Sequence, residues 1–105
     1  MTNKTKETLY QRALRVWGKE PQMLQVIEEM SELIKEILKN VNRKKDNIAE
    51  IVEETADVEI MLEQLKCCYN IKDNVEAYKK DKLKAIGERL NLWEQTHDKQ
   101  NDTRH

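Results

Sequence analysis

The segment EEMSELIKEILKNVNRKKDNIAEIVEETAD, residues 28–57, contains two helical patterns joined by a polar, basic connector. A helix turns about 100° per residue, so side chains three positions apart point to nearly the same side. Glu29 and Glu32 therefore form one carboxylate pair, and Glu54 and Asp57 form another on the next helix. The second pair is the more informative, because the apolar stripe of its helix (Ile51, Val58, Met61, Leu62, Leu65) surrounds Glu54 instead of lying opposite it. An unpaired carboxylate in such surroundings is costly, so it must be protonated, ion-paired or bound to a cation.

Outward from this segment the same periodicity continues. Residues 5–17 predict a short amphipathic helix with Leu9, Ala13, Val16 and Trp17 inward and Gly18 as its stop. Pro21 suits the first turn of a second helix, where its missing N–H has no intrahelical partner to lose. That helix runs to about Asn40, with Met23, Ile27, Met30, Ile34, Ile37, Leu38 and Val41 as its apolar stripe and Glu29 bordering Val26 and Leu33. After NRKKD at 42–46, a third helix spans about Asn47 to Tyr69, and it is apolar on two sides. Its second stripe is Val52, Ala56, Ile60 and Cys67, the pattern of a helix sandwiched between its own chain and a second subunit. A fourth helix starts near Asn74, capped by Asp73 or Asn74, and carries Tyr78, Leu83, Ile86, Leu90 and Trp93 inward. From His97 the sequence lacks aliphatic residues and is expected to fray, giving one helical domain over 1–96 and a flexible polar tail over 97–105.

Composition agrees with an all-α fold: of 105 residues 37% are charged, with 2 Gly, 1 Pro and no Phe, so no strands are expected. Basic and acidic residues nearly cancel, 19 against 20, which leaves no global field to draw the chain to nucleic acid or to an anionic membrane. No apolar run approaches the length of a spanning helix, and the N-terminus is polar. Cys67 and Cys68 are adjacent on a helix, which suits neither a mutual disulfide nor a metal pair, so packing is their expected role and the cytoplasm the expected compartment.

Four carboxylates on two helices, with no Cys or His beside them, are hard oxygen donors that suit Mg²⁺ or Mn²⁺ and argue against zinc or copper. The spacing alone is also that of ordinary solvated helix faces, and a lysine from another subunit would satisfy Glu54 as well.

The pattern EExxE, a gap of 21 residues and then ExxD resembles the signature of the MazG-like all-α nucleoside triphosphate pyrophosphohydrolases, the group of the dimeric dUTPases and dCTP pyrophosphatases. Trp17 and Gly18 ahead of a helix, the runs EEMSELIKEI and EETADVEIMLEQL, and KLKAIGERL near the end are together similar to small phage-type or Gram-positive members, over about residues 10–93. The resemblance implies a four-helix bundle assembling as a homodimer or homotetramer. It implies Mg²⁺ (or Mn²⁺) ligation by Glu29, Glu32, Glu54 and Asp57, with Glu28 behind the ligands or acting as base near the attacking water. The implied reaction is hydrolysis of a nucleoside triphosphate to a monophosphate and pyrophosphate, in which a bound metal ion activates water and neutralises phosphate charge.

Lys82 and Arg89, seven apart on the fourth helix, resemble the family's basic positions for the phosphate tail. The position where some relatives carry Asn between them is Ile86, so base specificity does not carry over. Trp17 is a candidate to stack on a base, or else a core plug. The basic connector Arg43, Lys44 and Lys45 reads as a solvated loop. Walker, GxGxxG and zinc patterns are absent, and the only histidines, His97 and His105, lie at the end of the chain, so no Ser-His or Cys-His chemistry is expected. Two other functions fit the same pattern. One is a non-catalytic helical interaction module, indifferent to divalent metal. The other is a phosphoribosyl-nucleotide pyrophosphohydrolase on this scaffold.

Overall fold

The computed structural model describes residues 7–104, with side chains through His97. Four helices follow one another, α1 (Leu9–Trp17), α2 (Lys19–Arg43), α3 (Ile48–Tyr69) and α4 (Lys72–Arg104), and no strand occurs among the described residues. The chain divides into two compact units, Met1–Asn70 and Ile71–His105.

Local chemistry sets the helix ends. Thr8 starts α1 through a capping box: its hydroxyl accepts from Gln11 N–H at 3.1 Å, and Gln11 Oε1 accepts from Thr8 N–H at 2.9 Å. The helix therefore begins at Leu9, several residues later than its apolar pattern suggests. Gly18, at φ 93°, ends α1 and begins α2, a backbone angle that a residue with a Cβ would strain to adopt. Pro21 falls in the first turn of α2, as its chemistry requires. Two C-terminal caps are left-handed, Lys44 after α2 and Asn70 after α3, the latter a residue type that tolerates this conformation well. The start of α4 lies two residues ahead of the expected Asn74, so Asp73 sits in its first turn rather than capping it. Nothing after Gly87 breaks the helix, and it runs on through 97–104, past the expected end at 96.

In the first unit α2 and α3 form an antiparallel hairpin, and α1 packs against both. Cross-helix contacts run like rungs from the open end to the connector. Lys19 Nζ lies 4.8 Å from the Tyr69 ring centre. Gln64 donates to Gln22 at 3.0 Å. Nearest the connector, Asn47 donates to the Glu36 carbonyl at 2.9 Å and to Glu36 Oε1 at 3.0 Å. The apolar core at this interface is thin, with Val26 and Val58 as its buried members.

Here the structure corrects the sequence reading. The α2 face turned to α3 carries Val26, Glu29, Leu33 and Glu36, whereas the stripe expected inward is largely the outer face: Ile27, Met30, Ile34, Ile37, Leu38 and Val41 are all exposed. In α1, Tyr10, Ala13 and Leu14 are partly covered while Leu9, Val16 and Trp17 are exposed. The second stripe of α3 is also open at Val52, Ala56 and Ile60. The cause is geometric. These helices are apolar over a wider arc than one neighbour can cover, so packing α2 on α3 through the acidic side leaves the other side bare. In the second unit Tyr78, Leu83, Ile86, Leu90 and Trp93 of α4 are likewise exposed.

Candidate metal centre

Antiparallel pairing of α2 and α3 places the middle of one helix beside the first half of the other. It brings Glu29 from α2 together with Glu54 and Asp57 from α3, one carboxylate oxygen of each lying within 4.8 Å of the others. All three side chains are partly buried. Glu29 accepts a hydrogen bond from Gln25 Nε2 at 2.7 Å, one turn earlier on α2, which fixes its direction. Glu54 Oε2 is closed to solvent and has no hydrogen-bond partner. Its carboxyl is pushed above the usual range by burial first, then by the charges of Glu29, Asp57, Glu32 and Glu53. Among the described residues no lysine or arginine pairs with Glu29, Glu54 or Asp57.

The remaining predicted residues are placed as follows. Glu32 lies close enough to raise Glu54 but is outside the set of three, and it pairs with Lys35 at 3.6 Å. Glu28 is exposed on α2, and its carbonyl accepts from the Ser31 hydroxyl at 2.7 Å. Trp17, at 65% exposure, is no core plug; it borders a cavity of about 370 Å³ together with residues of α1, α2 and α3. Lys82 and Arg89 belong to the second unit. There Lys82 Nζ stands 6.0 Å from the Tyr78 ring centre, and Arg89 lines a shallow hollow with Ile86, Leu90 and Trp93.

Compared with protein-family models, curated proteins and solved structures, the chain matches none. The chemistry of the site therefore rests on its own residues. Three carboxylates converge from two helices, with no nitrogen or sulfur donor among them, and one of them, Glu54, has a buried oxygen without a hydrogen-bond partner. Oxygen donors of this kind suit hard cations better than soft ones.

Two groups escaped the sequence reading. Asn47 and Gln64 are the most deeply buried polar side chains, at 1% and 2% exposure. Gln64 continues the face of Glu54, Asp57 and Met61, which was the available signal, since an amide there interrupts a side otherwise turned to α2. Asn47 looks like an ordinary helix cap, yet its side chain makes no cap bond to its own helix.

Proposed function

We propose that this protein is a Mg²⁺-dependent nucleoside triphosphate pyrophosphohydrolase of the MazG-like kind, assembled as a homodimer or homotetramer. The observation that carries the reading is Glu54: a buried, partnerless carboxylate oxygen with acidic side chains of two helices around it. A fold has no structural use for that arrangement, because it concentrates repulsion and desolvation where a neutral side chain would pack more cheaply. A divalent cation offsets both, and it would be held by Glu29, Glu54 and Asp57, with Glu32 adding charge beside them.

Bound there, such an ion supplies an activated water and neutralises phosphate charge. The chain's own groups do the rest. Gln25 holds Glu29 in place, and the hairpin keeps the two acidic helices at fixed separation. Glu28, open to solvent one residue before the ligands, is suited to receive a proton. Lys82 and Arg89, basic groups of the second unit, are candidates for phosphate binding by the resemblance alone. The apolar surfaces left bare on α2 and α3 support self-association.

The test is pyrophosphate release by the purified protein across common and modified nucleoside triphosphates and phosphoribosyl nucleotides, with Mg²⁺ and with EDTA. Release from at least one triphosphate, dependent on Mg²⁺, is expected. Flat traces throughout would overturn the enzymatic reading in favour of an interaction module. Among the described residues no helix is long and apolar enough to cross a membrane.

A further inference from the structure

We propose that the bare stripe of α2 docks on the same stripe of a second copy, antiparallel across a two-fold axis near Ser31, with Glu28 of each copy paired to Lys35 of the other. This rests on the reading above only for the fact of association; the surface, the direction and the ion pair follow from residues of the first unit. Leu24, Ile27, Met30, Ile34, Ile37 and Leu38 lie along the stripe, none less than 43% exposed. A continuous apolar face of this kind leaves water only against another apolar surface.

The order of the stripe is the same in both directions from its middle. Met30, Ile27 and Leu24 lead towards the N-terminus, and Ile34, Ile37 and Leu38 lead towards the C-terminus at matching steps. Antiparallel self-pairing therefore sets Met30 against Ile34, Ile27 against Ile37 and Leu24 against Leu38, each twice, as an isologous interface requires. Ser31, exposed and small, puts no bulky side chain between the copies at the axis.

Charge selects the direction. Glu28 and Lys35 are almost two turns apart, so they share one edge of the stripe, and both are exposed. The opposite edge, at Val26 and Leu33, is turned to α3. Like edges meet in an antiparallel helix pair and unlike edges in a parallel one. Antiparallel docking thus brings Glu28 beside Lys35 of the partner copy at both ends of the contact, whereas parallel docking sets both charges against the apolar edge. Within its own chain Glu28 has no charged partner among the described residues, and Lys35 reaches Glu32 at a long 3.6 Å. An unrelated partner would need neither the repeated order nor the opposite charges, so these residues select a second copy.

The experiment is sedimentation equilibrium of the full chain in EDTA at physiological ionic strength, where distant charges are screened. The parent, Glu28→Lys, Lys35→Glu and an equal mixture of the two variants are compared. Each single change turns both ion pairs into like-charge contacts, so self-association should weaken about tenfold. In the mixture a copy with Glu28→Lys meets a copy with Lys35→Glu, opposite charges face each other again at both contacts, and association should return to near the parent's. Carbodiimide coupling of isotope-labelled and unlabelled parent chains should also give a Glu28–Lys35 amide of mixed mass. That cross-link needs no variant, so it decides even if a variant misfolds. A monomeric parent, a mixture without recovery, or no mixed-mass cross-link overturns the proposal. Association that neither change weakens places the contact on another face, that of α4 included, and also overturns it. Because no Mg²⁺ or nucleotide is present, failure here is distinct from failure of Mg²⁺-dependent hydrolysis.

Discussion

Glu54 bears a charge that its surroundings oppose from every side described. Its carboxyl titrates above its ordinary value of 4.5, through burial first and then through four acidic neighbours. A raised folded-state pKa means the protonated form stabilises the fold below the unfolded pKa, and that contribution is lost as pH rises through the folded value. Without Mg²⁺ the parent should therefore lose stability as pH climbs from the acid range towards neutrality. Glu54→Gln, which keeps the shape without the charge, should remove this component and be at least as stable as the parent at neutral pH. With Mg²⁺ the order should reverse. A ligand that binds only the folded state adds about 2.7 kcal/mol at a hundredfold excess over Kd, and the variant should forfeit most of that rise along with its activity. Four melting curves, parent and variant with and without Mg²⁺, check this. Equal destabilisation in both conditions, with pyrophosphate release intact, would sink the ligand assignment. Glu54 was legible from sequence because an acid interrupts an apolar stripe. Gln64 was less so, because a neutral amide near the end of the same helix breaks the pattern less visibly.

Between elements, the corner that joins α2 to α3 depends on Asn47. Asn47 donates twice to Glu36 and accepts from Asn40 Nδ2 at 3.3 Å, so one buried amide joins the last turns of α2 to the start of α3. The Glu36 carboxyl is held below its usual range, chiefly by the Asn47 bond and then by Lys39. A depressed carboxylate contributes stability above its unfolded pKa and loses it as pH falls through the folded value. Asn47→Ala should cost about 2 kcal/mol at neutral pH, since Glu36 loses two donated bonds at once. It should also flatten the acid limb of the melting profile, and denaturant titrations at neutral and acid pH measure both effects. Helix starts were readable to within a few residues, since the spacing of apolar groups and of Gly18 and Pro21 marks them directly, but the end of α4 was not, because its last turns carry no apolar pattern. The inward face of α2 was not. Periodicity tells which side of a helix avoids water, but not which of several neighbours covers it, and in α2 the acidic side facing α3 won.

For the molecule as a whole, the exposed stripes of α2 and α3 set the expected behaviour. Ile34, at 57% exposure, and Leu38, at 52%, lie one turn apart on a face that the rest of the first unit leaves open. Sedimentation at micromolar concentration should show a dimer or larger species, and Ile34→Glu together with Leu38→Glu should reduce it. A parent that remains a well-folded monomer at high concentration would overturn the association and leave Val52, Ala56 and Ile60 without a purpose. The thin core has one more consequence. With Val26 and Val58 as the buried apolar side chains among the described residues, little water-avoiding free energy is released when one chain folds by itself. If most of it is released only when chains meet, dilution acts on this protein as a denaturant does on others, and its abundance becomes one of the terms that fix its stability.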